Sequence, residues 1–577
     1  MDAAPAPPTG SRQPRSAEPK PGHSASFARG NPLFDDAWVQ QRHAAEGADA
    51  AWQALLGQGP AAPALSRVTG DFAFAQTLGD GSTVLAVDRF AIQTLCYRVV
   101  DGQLCFAERA DTLADARTPI DPQAIFDYLY FHAIPSPRTI YQGVMRLPPG
   151  HVAIFAAGRL TVAPYWTPRF EPFRSPSFKS LRDQFLADAL QAVKHQLDGT
   201  RPACFLSGGT DSSTVAGLIG QATGQGAASF SIGFEAEGYD EMAYARLAAK
   251  HFKTEHHEYY VTPDDLVRSI PAVAAHHDQP FGNSSALPAY YCALKAREAG
   301  VSRLLAGDGG DELFGGNTRY AKQRLFGLYS LAPASLRQGL MEPFFNLASV
   351  SRMPLLKKGA SYIEQARVPM PDRLQMYNLL LRLGLPQVLS PGFLARIDAT
   401  APARQQTEVY AGPSASSEID RMLAFDWRYT LAESDLPKVR SSAALAGVSV
   451  GFPLLDAKLL EMSLRLPPDY KLRGLKLRWF FKQALRDFLP QQIITKKKQG
   501  FGLPFGLWAT RHGALNALAV DSLRSLSTRG IVRPEFTQTL LRDHLPSHPG
   551  YYGEMVWILM MLEQWLRAHA PDYRLAD

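Results

Sequence analysis

Cysteine is scarce in this sequence: 577 residues hold four, Cys96, Cys105, Cys204 and Cys292. None forms a CxxC pair and none has histidines at finger spacing, which excludes a disulfide framework and a structural zinc site as organising principles. A reducing compartment, hence a cytoplasmic protein, is the expectation. Long hydrophobic runs are also absent. The run at 555–562, "MVWILMML", falls far short of the roughly 20 residues of a membrane span and is expected as a buried helix. The first 25 residues lack the apolar segment of a secretory signal, and their Pro, Ser and Ala content predicts a disordered tail over 1–25. Charge of one sign is lacking too: a net +6, with one compact basic run at Lys496, Lys497 and Lys498, makes no nucleic-acid face. Neither a nucleic-acid nor a membrane partner is expected. What is present, 46% hydrophobic and 20% charged residues, fits a globular chain too long for one core.

Between residues 67 and 165 the pattern is short β-like runs, among them "DFAFAQT", "TVLAVDR" and "CYRVVDGQLCFAE". Asp101-Gly102 supplies the positive backbone angles of a tight hairpin. From about residue 179 the character changes to helix and strand in alternation. Leu181, Phe185, Leu186, Leu190 and Val193 fall on one helical face, and apolar strands are expected at 202–206, 228–234 and 302–306. That alternation predicts a parallel sheet covered by helices. Beyond residue 320 the chain reads as mostly helical, and the proline-bearing segment 166–178 reads as a linker.

The stretch "FLSGGTDSST", 205–214, closes a buried strand and leads into a helix beginning near Ser212. Bare backbone approaches a ligand closely, the hydroxyls of Ser207, Ser212 and Ser213 add donors, and a helix N-terminus favours an anion. This is a phosphate cradle. It is not the GxxxxGK(S/T) loop, because no lysine follows the second glycine, so positive charge must come from a metal or from elsewhere. Asp211 is out of place against a bare anion but suits a magnesium ion beside polyphosphate.

SGGTDSS resembles the pyrophosphate loop of the ATP-pyrophosphatase superfamily, and the second half of the chain resembles an asparagine synthetase domain. "SIGFEAEGYDEMAYARLAAKHFKTEHHE", "DQPFGNSSALPAYY", "LLAGDGGDELFGGNTRY", "GFPLLD" and "KKKQGFGLPFGLW" follow in that family's order, so the resemblance runs from about residue 65 to the C-terminus. It implies an α/β chain: a degenerate N-terminal nucleophile-type β-rich sandwich over 26–170, then a parallel-sheet, adenine-nucleotide α-hydrolase-like (PP-loop) synthetase domain over 171–577. It implies ATP and Mg2+. Around the nucleotide it places Leu206, Ser207, Gly208, Gly209, Asp211, Ser212 and Ser213, then Ser231, Ile232 and Gly233, then Gly307 and Gly309. Asp211 and Asp311 would hold the magnesium, Lys498 would bring an ammonium to the α-phosphate, and Asp308 is the candidate general base. Lys496 and Lys497 are expected as surface charge, Lys476 and Lys482 as helix-face residues.

The chemistry so implied is attack of a substrate carboxylate on the α-phosphate of ATP, release of pyrophosphate, and displacement of AMP from the acyl-adenylate by ammonia or an amine. Two departures qualify it. Glutamine-dependent members begin, after Met removal, with a nucleophilic cysteine; this sequence begins Met-Asp-Ala-Ala and has none before Cys96. "GDFAFA", "AVDRFAIQTLCY" and "LPPGH" resemble only the later part of that domain, so a glutaminase-dead domain is expected, with Cys96 and Cys105 as core residues. Arg440, Ser449 and Gly451 stand where many members carry Asp, Glu and Arg, a change expected near the acyl pocket that puts free aspartate in question as substrate. The expectation is an amide ligase joining a carboxylate, small molecule or peptide, to ammonia or an amine, as in the β-lactam synthetases and lasso peptide cyclases that lost the nucleophile. Asparagine formation from ammonia and isopeptide cyclisation are the alternatives within the family. A scaffold without activity is the alternative outside it, and a homodimer is compatible with each.

Overall fold

The computed structural model describes residues 26–175, 177–331, 333, 335, 362–497 and 502–575. The tail expected over 1–25 and Lys498 lie outside the described residues. The strands of the N-terminal half are β1 (Ser26–Phe34), β2 (Val68–Thr77), β3 (Thr83–Val87), β4 (Cys96–Val100), β5 (Gln103–Ala107), β6 (Met145–Arg146), β7 (His151–Ala156) and β8 (Arg159–Pro164). They form an antiparallel sheet ordered β1-β2-β3-β7-β8 and a smaller one ordered β5-β4-β6. Period-two alternation decides what each face packs against. Phe72 and Phe74 of β2 join Val84 and Ala86 of β3 under three short helices between Ala37 and Ser66. There the indole of Trp52 stacks on Phe74 with ring centroids 4.0 Å apart. Ala73, Ala75, Leu85 and Val87 point the other way, onto Leu95, Tyr97 and Leu147 of the second layer. The β4–β5 hairpin turns at Asp101 (φ 50°) and Gly102 (φ 74°), both left-handed as that dipeptide predicts.

The second half is built on β9 (Ala203–Phe205), β10 (Ala228–Phe234), β11 (Glu255–Val261), β12 (Arg303–Leu305) and β13 (Ser449–Gly451), parallel in the order β11-β10-β9-β12-β13. All seven residues of β10 are buried, as a sheet covered on both faces requires. The three apolar runs expected as strands are β9, β10 and β12. Helix Pro549–His569 buries residues 555–562 as anticipated, and among the described residues no helix is long and apolar enough to cross a membrane.

The two halves share a core. Helix Pro122–Phe131 packs in the same hydrophobic cluster as Pro549–His569, and the Tyr128 hydroxyl donates to the Ile558 carbonyl at 2.8 Å. The chain at 166–175 is pinned as well: Phe170 N–H donates to Ser414 O at 2.8 Å, and Phe173 N–H to Arg465 O at 2.9 Å.

Candidate active site

β9 and β12 are neighbours in the sheet, and the order of strands reverses between them, so their carboxyl ends open a crevice. Two loops enter it, one after β9 and one after β12, around a cavity of about 1090 Å³. Leu206, Ser207, Gly209, Asp211 and Ser212 line it from the first loop and Gly307, Asp308 and Asp311 from the second; Ser231 and Ile232 line it from β10. The first loop is folded by its own hydroxyls. Ser207 N–H donates to Ser212 Oγ at 3.2 Å, and Gly209 N–H donates to Ser207 Oγ at 3.3 Å. Helix Thr210–Thr223 begins there with no side-chain cap among the described residues, so its first N–H groups point towards the cavity.

Gly208, Ser213, Gly233 and Gly309 are not in the cavity wall. Gly208, at φ +68°, is where the loop crosses helix Met242–Phe252: a Cβ would lie 2.3 Å from the backbone carbon of Tyr244. Ser213 is fully buried inside its helix. Ser231 is tied down, donating its hydroxyl proton to the Leu206 carbonyl while its oxygen lies 2.7 Å from His256 Nε2. With that proton committed, His256 Nε2 is the donor.

Asp211 and Asp311 converge as the motif implies, and Arg478 lies between them. Its Nη1 is 2.6 and 2.7 Å from the two Asp211 oxygens and 2.7 Å from Asp311 Oδ1. Burial works against the guanidinium's charge, and the two carboxylates more than offset it. Among the described residues no group of three or more His, Cys, Asp or Glu could hold a metal. Magnesium on polyphosphate commonly takes only one or two protein carboxylates, so the Asp211–Asp311 pair fits it once Arg478 yields a carboxylate.

Three lysines differ from their expected roles, two of them by moving from the surface into the site. Lys482, anticipated as a helix-face residue, lines the cavity one turn after Arg478; burial lowers its pKa and Arg478 adds to the effect. Lys496, anticipated as surface charge, is 10% exposed, pairs with Glu241 at 2.8 Å and lies over the Tyr244 ring. Both changes arise because the last third of the chain folds back over the sheet edge. Lys476 and Lys497 are exposed, at the rim; Lys476, anticipated on a helix face, lies instead in a two-residue strand paired with Leu472–Arg473.

Burial pushes the Asp308 carboxyl up to about 6, with Lys438 opposing and Asp435 adding to the rise. Lys438 Nζ lies 3.8 Å from Asp308 and 2.8 Å from Asp435. Asp435 and Lys438 were not anticipated; their only sequence signal is an i,i+3 acid–base pair, a spacing common on exposed helices. The Arg440, Ser449 and Gly451 positions, expected near an acyl pocket, do not line the cavity. Helix Leu436–Leu445 turns Lys438 and Val439 to the cavity and Arg440 to the β-rich half, 3.4 Å from Gln93 Oε1 and 3.6 Å from Glu108. In that half Cys96 is fully buried, and burial pushes its thiol well up; Cys105 sits mid-strand in β5.

The asparagine synthase family matches residues 186–567, and the glutamine amidotransferase domain matches residues 52–166. The chain is 25% identical over 509 residues to asparagine synthetase (glutamine-hydrolyzing) 1 of Bacillus subtilis, covering 87% of this chain and 78% of that protein. It is 26% identical to a putative asparagine synthetase (glutamine-hydrolyzing) of Mycobacterium tuberculosis, over 87% of this chain and 77% of the relative. It is 25% identical to amidase chry2 of Gibberella zeae, over 77% of this chain and 71% of the relative.

Proposed function

The chain belongs to the asparagine synthase family of ATP-dependent carbon–nitrogen ligases, and on that premise we propose that it activates a carboxylate as its acyl-adenylate and passes the acyl group to ammonia or an amine, without a glutaminase of its own. The observation that carries this reading is the meeting of the Ser207–Ser212 and Gly307–Glu312 segments over one cavity, with cations on one wall and Asp308 on another. The substrate carboxylate attacks the α-phosphorus, and pyrophosphate departs over the helix N-terminus towards Arg478 and Lys482. Asp211 and Asp311 would hold a magnesium ion, which would offset charge on the departing pyrophosphate. Lys498 is assigned to the α-phosphate.

The amine must shed a proton as it attacks the acyl carbon, and we assign that proton to Asp308; in support, Lys438 lies 3.8 Å away, where it favours the charged form of the carboxyl. Support for the missing glutaminase comes from the thiols. Cys96, Cys204 and Cys292 are buried and their thiols pushed up, away from the thiolate that would attack glutamine.

The test is ATP–pyrophosphate exchange with aspartate, a glutamate derivative and a peptide carrying an internal Asp. Exchange driven by one of them is expected, with AMP as the nucleotide product; ADP and phosphate as products would overturn the reading. A base must be deprotonated to act, so amide formation should fall as pH drops through about 6 and be level above it. Asp308→Asn is expected to slow amide formation by about 100-fold or more while exchange persists, and to abolish that acidic limb. The pH profile of kcat/KM reads both; an unchanged limb in the variant would remove Asp308 from the role.

A further inference from the structure

Helix Glu418–Asp426 passes into a wide π-type stretch, Trp427–Asp435, before Leu436–Leu445 resumes a normal helix. At its end Leu436 N–H donates to Leu431 O, five residues back. Such stretches are rare and concentrate at functional sites, because they re-aim side chains that a regular helix would stack. This one faces three ways. Trp427 Nε1 donates to the Glu312 carbonyl at 2.9 Å, touching the acidic loop. Thr430 and Asp435 line the cavity. Glu433 points away from it, into the N-terminal half.

There Glu433 is gripped. Its carboxylate accepts from Arg146 Nη2 at 2.6 Å, Ser136 Oγ at 2.7 Å and Ser136 N–H at 3.1 Å, and it pairs with Arg428 of its own stretch. Arg428 also donates to Ser136 Oγ at 2.8 Å and to the Ser136 carbonyl, while Arg146 donates to Ile134 O at 2.7 Å. Glu433 is 5% exposed. Burial alone would raise its pKa, but Arg428 and Arg146 hold it below the usual carboxylate range. Two residues from each half thus close a buried ionic cluster, an arrangement that contributes little net stability but fixes geometry tightly. Two positions beyond Glu433, Asp435 holds Lys438 at 2.8 Å, and Lys438 faces Asp308.

We propose that the N-terminal half serves the synthetase site as an anchor: Arg146 and Ser136, by gripping Glu433, fix the π-type stretch that sets Asp435 and Lys438 against Asp308. Arg146 is then a positioning residue 287 positions from the glutamate it holds. The inference rests on the reading of Asp308 as the amine-side group, and it gives the amidotransferase-like half a task that needs no glutaminase.

The experiment is pulsed acetylation of the full chain with acetic anhydride, read at each lysine by mass spectrometry, beside calorimetric titration with a non-hydrolysable ATP analogue. In the wild type Lys438, 16% exposed and paired, labels slowly. In Arg146→Gln its rate is expected to rise about fivefold or more, and Arg146→Lys should bring it back to within about twofold of the wild type. Fully buried Lys471 should stay protected throughout. Analogue affinity should stay within about twofold, because neither Arg146 nor Ser136 lines the cavity. Ser136→Ala, the milder change, should move Lys438 in the same direction. Tyr128→Phe, which removes a different bond between the halves, should lower Tm without moving Lys438. A Lys438 rate unchanged in Arg146→Gln, or a rise matched at Lys471, would overturn the anchor. Failure of the wild type to bind the analogue would count against the proposed function instead, and the Lys438 rates would still decide the anchor.

Discussion

Asp211→Ala is expected to lower ATP–pyrophosphate exchange by about 100-fold or more while the protein stays folded. Asp211 stands in the first turn of helix Thr210–Thr223, at the strand end that lines the cavity, and with Asp311 it converges on Arg478. On the proposed reading it has two tasks. It holds Arg478 in place, and once Arg478 yields a carboxylate it would with Asp311 hold a magnesium ion whose charge would offset that of the leaving group. Alanine removes both at once, in a partly enclosed site where fixed charges act strongly. Folding should suffer less, because Arg478 keeps Asp311 at 2.7 Å and is not left as a bare buried charge. Asp211→Asn preserves shape and removes charge, so it should lose nearly as much exchange as alanine. Exchange rates with the driving carboxylate, measured beside Tm, decide the matter. Exchange within tenfold of the wild type in both variants would take Asp211 out of the phosphate site.

The pieces legible in the sequence are those whose signal is local. "ASFSIGF" reads as a buried strand because all its residues face a covering layer, and SGGTDSS reads as a strand-to-helix turn facing a site, where Ser207, Gly209, Asp211 and Ser212 do line the cavity. β13 escaped because Ser449 and Gly451 leave it one bulky apolar residue, Val450, whereas β9 and β12 sit in longer apolar runs, and β11 because its Glu and His residues look like an exposed surface. The cations of the site escaped for another reason. Arg478 meets Asp211 across 267 positions, and nothing near "LKLRWFFKQ" marks it apart from a charged helix face. Lys438 and Lys496 were hidden in the same way, since a lysine's surroundings are set by the fold rather than by its neighbours. The π-type stretch has no sequence period of its own, so Glu433 and Asp435 gave no sign that they face opposite ways.

Lys471→Ala should cost about 3–5 kcal/mol of stability, the largest loss expected from a change remote from the cavity. Lys471 and Asp420 are both fully buried, with Nζ 2.6 Å from the carboxylate, and the ammonium also lies over the Phe170 ring at 4.7 Å. Burial pulls the lysine's pKa down and Asp420 resists it, so the charge persists only as one of a pair. Asp420 retains the Ser417 hydroxyl as a donor at 2.6 Å, which is too little for a carboxylate out of water. The pair joins helix Glu418–Asp426 to Pro468–Lys471 and to the chain leaving the β-rich half, and the backbone of Lys471 packs on Gly315 just beyond the acidic loop. Its loss should therefore loosen the floor of the second loop as well as lower the denaturant midpoint. Removing both charges separates the two effects: Lys471→Met with Asp420→Leu should recover most of the lost stability, because apolar side chains of similar volume avoid the desolvation that the single variant leaves unbalanced. Denaturant midpoints of the single and double variants measure this. A double variant no more stable than the single one would mean that Lys471 acts through its shape and its contact with Phe170 rather than through its charge.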